Sequence, residues 1–90
     1  MKNCLRVIIQ GRVQGVGFRY YTQMEARKLG ITGWVRNHAD GSVEACIRGE
    51  HESLAAMQAW LRQGPGLAHV EHIEFSAGHL PDSCNDFRMV

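Results

Sequence analysis

The chain has 90 residues, 44% hydrophobic and 21% charged, with a net charge of +1. That length makes one domain, expected over residues 1–90, with room for a single two-layer core. Ten Lys and Arg against nine Asp and Glu leave no basic surplus for a nucleic-acid footprint. No apolar run approaches the roughly 18 residues that a membrane span needs, and Arg6 interrupts the apolar stretch near the N-terminus, so neither an anchor nor a signal peptide is expected and the setting is read as cytoplasmic.

The elements follow in chain order. CLRVIIQGRV alternates, with Leu5, Val7 and Ile9 on one face and Cys4, Arg6, Ile8 and Gln10 on the other, which predicts a half-buried strand ending near Gly11 to Val13. From Phe18 to Leu29 the period becomes helical, placing Phe18, Tyr21, Thr22, Ala26 and Leu29 on one stripe, and Gly30 stops the helix. ITGWVRN is a second strand, Asp40-Gly41 a hairpin turn, and SVEACIR a third strand with Val43, Ala45 and Ile47 inward and Ser42, Glu44, Cys46 and Arg48 toward solvent. A second helix over Glu52–Arg62 buries Leu54, Met57 and Leu61, and the Gln63 to Gly66 breaker ends it. HVEHIEF is a fourth strand whose Val70 and Ile73 fall out of phase, the mark of a bulge or a frayed start; DFRMV closes the chain with Phe87 and Met89 inward.

The order strand, helix, strand, strand, helix, strand is the split βαβ pattern: an α+β, ferredoxin-like two-layer sandwich with a mainly antiparallel sheet and both helices on one face. A right-handed crossover makes the second strand parallel to the first. The segment that follows the first strand therefore shares a rim with Asn37, the end of the second.

That segment is GRVQGVGFR, Gly11 to Arg19. Gly15 and Gly17 permit positive φ, so successive N–H groups can turn inward as an anion nest. The loop opens onto a helix N-terminus, which favours phosphate, and Arg19 adds a planar fork matched to phosphoryl oxygens. A plain glycine-rich connection with a solvated arginine is the alternative on residue types alone. The loop fits neither the P-loop, lacking Lys-Ser/Thr, nor G-x-G-x-x-G, because Tyr20 stands at the third glycine. Asn37 is either a turn-favouring residue before a hairpin or an amide that holds a water.

GVGFRYY also echoes an RNA-recognition signature, but that signature needs its aromatics on a central strand, whereas this segment runs into a helical pattern. The five histidines are scattered; His69 and His72 point to opposite faces and make a poor metal pair. Cys4, Cys46 and Cys84 form no zinc spacing or disulfide framework. Reduced thiols are expected, with a Cys4–Cys46 contact or bond open if their strands are neighbours.

Taken together, VQGVGFR (Val13 to Arg19), LGITGWVRN (Leu29 to Asn37), DGSVE (Asp40 to Glu44) and the terminal FRMV resemble the acylphosphatases over essentially the whole chain. The resemblance implies hydrolysis of the carboxyl-phosphate bond of small acyl phosphates, without metal or cofactor. It makes Arg19 the phosphate-binding catalytic arginine, Asn37 the residue that positions the attacking water, and the backbone of Gln14, Gly15, Val16, Gly17 and Phe18 the phosphate cradle. Inorganic phosphate is then both product and competitive inhibitor, and a monomer with no nucleic-acid or membrane partner is expected. A related domain begins larger proteins that mature hydrogenases through carbamoyl phosphate; a chain ending after one domain points to the free-standing enzyme.

Overall fold

The computed structural model describes residues 3–90; Met1 and Lys2, part of the domain expected over residues 1–90, lie outside that span. In strand β1 (Asn3–Arg12), Val7 and Ile9 are fully buried, as the alternation requires. Helix α1 (Phe18–Lys28) buries Phe18, Thr22 and Ala26. The chain leaves it through Gly30, and the Ile31 N–H bonds back to the Ala26 carbonyl at 2.8 Å, satisfying a last-turn acceptor. Strands β2 (Thr32–Asn37) and β3 (Val43–Gly49) form a hairpin. At its tip Asp40 Oδ1 accepts from the Ser42 hydroxyl at 2.6 Å and the Ser42 N–H at 2.9 Å, and these bonds hold the Asp40 carboxyl below its usual range. Helix α2 (His51–Gln63) buries Leu54, Met57 and Leu61, one residue longer at each end than expected. Strands β4 (His69–Ala77) and β5 (Phe87–Met89) complete the chain.

The sheet order is β4-β1-β3-β2-β5, antiparallel throughout except for the parallel β2–β5 pair. One core joins the inward side chains of β1 and β3 to Phe18 and Ala26 of α1 and to Leu54, Met57 and Leu61 of α2. This is the expected ferredoxin-like α+β sandwich with a fifth strand added. The terminal segment is long enough for three ladder positions beside β2, and α1 secures it: Gln23 Nε2 donates to the Phe87 carbonyl at 2.9 Å, and Arg27 meets Asp86 with two bonds of 3.1 Å. Phe87 is fully buried, whereas Met89, also expected inward, sits at the rim and is 43% exposed. The phase break in β4 is a bulge. Gln10 pairs with His72 and Gly11 with Val70, leaving Glu71 as the extra residue.

The outer face of β3 differs from expectation. Ser42, Glu44 and Cys46 are buried, not solvated. Part of the cover is the segment after β4. Arg48 donates to the carbonyls of Pro81 and Cys84, the Cys46 thiol donates to His79 O at 3.7 Å, and Leu80 is buried with them. The remaining cover is electrostatic. Glu44 accepts from Arg6 Nε, from Arg36 Nε and Nη2 at 3.0 and 2.8 Å, and meets His38 Nε2 at 2.7 Å. Burial pushes the Glu44 carboxyl up, but hydrogen bonds from Arg36, His38 and Arg6 outweigh it and bring the pKa from 4.5 down to about 2. The Cys4 and Cys46 thiols lie 3.3 Å apart and both are free; burial, then the neighbouring Cys4, pushes the Cys46 thiol up.

Glu44 is more acidic folded than unfolded, so its stabilisation is present above about pH 4.5 and lost as pH falls toward 2. Urea unfolding from pH 7 to 2.5 is expected to show stability falling through that window. Glu44→Gln should lose on the order of 2 kcal/mol at pH 7, with the half-exposed arginines discounted for screening, and should flatten the acid limb.

Candidate active site

Because β3 is antiparallel to both β1 and β2, those two strands run the same way and end at one rim. The loop leaving β1 and Asn37 at the end of β2 line one cavity of about 250 Å³, together with Arg19, Tyr20 and Met89.

The loop conformation comes from its glycines. Gly15 and Gly17 have φ of 73° and 78°, in the left-handed region that side chains disfavour. Gly17 is the N-cap of α1, no side chain caps that terminus, and no acidic residue occupies the first turn. The first-turn N–H groups thus have no intrahelical acceptor and carry the positive end of the helix dipole. Gln14 braces the loop from the other side: its Nε2 donates to the carbonyls of His38 and Ser42 at 2.7 and 2.8 Å, tying the loop to the β2–β3 hairpin.

Arg19 stands in the first turn of α1, half-buried. Among the described residues it has no hydrogen-bond or ion-pair partner, whereas Arg6, Arg27 and Arg36 are each bound to a carboxylate. Its five N–H donors remain available to a ligand. Asn37 is paired across the sheet with Val43, a core position, so it belongs to the inward face. Its neighbours Arg36 and His38 are both held by Glu44 on the opposite face, and this fixes the direction of Asn37 between them.

Gln14, Gly15, Gly17, Phe18, Arg19 and Asn37 all line this one cavity. Val16 sits in the same loop but lines the neighbouring groove and packs on the core. The Phe18 ring is buried, 6.1 Å from the Trp60 ring, so only its backbone faces the cavity. Sequence reasoning missed Tyr20 and Met89 as cavity residues. The inward phase of Met89 was visible, but nothing in the pattern placed β5 beside Asn37. GVGFRYY runs from this loop into α1 and lies on no strand of the sheet. His38 is engaged by Glu44 and His72 by Glu74. Among the described residues, no three His, Cys, Asp or Glu side chains gather as metal ligands, and no helix is long and apolar enough to cross a membrane.

Gln14→Ala removes two bonds to buried-side carbonyls. It is expected to cost about 1–2 kcal/mol, seen as a fall of roughly 5–10 °C in the thermal midpoint of a domain this size.

Known proteins share this sequence and fold. The Acylphosphatase family model matches residues 5–89. The acylphosphatase of Rhizobium etli is 52% identical over 85 residues, which cover 94% of this chain and 90% of that protein. The crystal structure of the acylphosphatase from Bacillus subtilis matches with a TM-score of 0.91 at 37% identity, covering 100% of this chain and 99% of that one. The acylphosphatase from Coxiella burnetii gives 0.91 at 36%, covering 99% and 93%. The chain belongs to the acylphosphatase family of hydrolases.

Proposed function

We propose that residues 1–90 act as one acylphosphatase-like domain, hydrolysing small acyl phosphates without metal by means of Arg19, the amides of Gln14 to Phe18, and Asn37. The observation that carries this reading is the meeting of an unpaired guanidinium, an uncapped helix N-terminus and an inward amide on one cavity.

The chemistry suits these groups. Phosphoryl transfer asks mainly for positioning and for stabilisation of charge spread over the equatorial oxygens. Arg19 and the loop amides supply donors for that charge. The leaving carboxylate has a conjugate acid of pKa about 4, so it departs without a general acid. Asn37 orients the water and cannot act as its base. As the water oxygen bonds to phosphorus, the bond to the acyl oxygen breaks and its electron pair leaves with the carboxylate; the water proton passes to a phosphoryl oxygen. The products are a carboxylate and inorganic phosphate, which competes for the same donors. We further read the chain as a cytoplasmic monomer; three free thiols suit a reducing compartment.

The test is benzoyl phosphate hydrolysis in excess EDTA. Wild-type turnover is expected to persist. Arg19→Ala should lower kcat/KM at least about 10²–10³-fold and weaken competitive inhibition by inorganic phosphate. Asn37→Ala should lower kcat while leaving phosphate inhibition largely intact. Full turnover in Asn37→Ala overturns the water-positioning role, and turnover abolished by EDTA in the wild type overturns the metal-free mechanism.

A further inference from the structure

The cavity lined by Arg19 and Asn37 shares Gly17 and Tyr20 with a larger groove of about 820 Å³. That groove runs between α1 and the turn after α2. Tyr20, Tyr21 and Met24 line it from α1, Trp60 and Leu67 from the α2 side, and Val16 from the loop. Six large hydrophobic side chains are exposed among the described residues, and four of them, Tyr20, Tyr21, Met24 and Leu67, line this one groove. Exposed apolar surface concentrated in this way is the mark of a binding surface, not of scattered chance. Tyr21 belongs by its spacing to the buried stripe of α1, yet it is 47% exposed here.

The direction of the reaction says which ligand fits. Attacking and leaving oxygens lie roughly in line through phosphorus. With water held at Asn37, the acyl group must leave on the side away from Asn37. The groove adjoins the phosphate cavity at Gly17 and Tyr20, which line both, and none of Gln14, Arg19 and Asn37 lines it. Resting on the catalytic reading above, we infer that this groove receives the acyl group, and that the chain selects acyl phosphates whose acyl part is apolar and of aryl or medium-alkyl size. Glu25 is the charged residue of the lining and sets it against acyl groups that end in a second anion. Gly17 stands at the junction. A Cβ there would come within 3.1 Å of the Tyr21 ring, so a larger residue would press on that ring.

The experiment compares kcat/KM for benzoyl phosphate and acetyl phosphate in the wild type and in the double variant Met24→Ser/Leu67→Ser. Both positions are exposed, so the fold is not at stake. Acetyl phosphate, whose acyl group carries only a methyl beyond its carbonyl, serves as the internal reference. The benzoyl-to-acetyl ratio is expected to fall about tenfold in the variant, with acetyl phosphate changed by no more than about twofold. Titration calorimetry with phenacylphosphonate and acetonylphosphonate, in which a methylene replaces the bridging oxygen, should show the same selective loss in affinity. An unchanged ratio, or an equal loss for both substrates, overturns the groove assignment alone. A folded wild type that hydrolyses neither substrate overturns the catalytic reading, and this assignment with it.

Discussion

The position of β3 is the constraint on which the site depends. It lies between β1 and β2 and runs against both, with seven paired positions toward β1 and six toward β2. Two strands that share such a neighbour must point the same way. The segment after β1 and the residue that ends β2 are thereby delivered to one rim, although Arg19 and Asn37 are far apart in sequence. Helix α1 is the crossover that makes this geometry, and its first turn also supplies a charged fork and unpaired amides. One element thus serves both the topology and the lining of the cavity.

The two faces of the sheet divide the work. The inner face carries the apolar core and, where that core runs out, Asn37 and Met89. The outer face carries the ionic cluster around Glu44, where three donors from β1, β2 and the hairpin meet one buried carboxylate. Because side chains alternate along a strand, holding Arg36 and His38 outward is equivalent to holding Asn37 inward. A cavity-lining residue is thus oriented by contacts made on the opposite face of the sheet. Gln14 joins the same hairpin to the loop, so loop, hairpin and cluster form one braced unit.

Much of this was legible because periodicity reports one face at a time. Alternation located Val7, Ile9, Val43, Ala45 and Ile47, and helical spacing located Leu54, Met57 and Leu61. The glycines at 15 and 17 signalled positive φ by residue type alone. What remained hidden involves contacts between segments with no period. The burial of Glu44 and Cys46 depends on Arg6, Arg36 and His38 from three places, and on the irregular chain from Gly78 to Asp86. Tyr21 was misplaced because its helical stripe is wider than the surface that sheet and α2 cover. The phase of Met89 was readable, but its neighbour across the rim was not, since a three-residue parallel strand leaves almost no pattern.

The ends of the sheet carry a further consequence. An open sheet exposes unpaired N–H and C=O groups along its two outer strands, and such edges recruit strands from other molecules. Here one edge is β5, only three residues long and closed off by α1 through Gln23 and Arg27. The other is β4, where the Glu71 bulge breaks the ladder and His69, His72 and Glu74 keep polar side chains in water. A long apolar edge would invite fibrous association whenever the chain is concentrated. The bulge in β4 and the brevity of β5 shorten the regular ladder that either edge offers to a second copy.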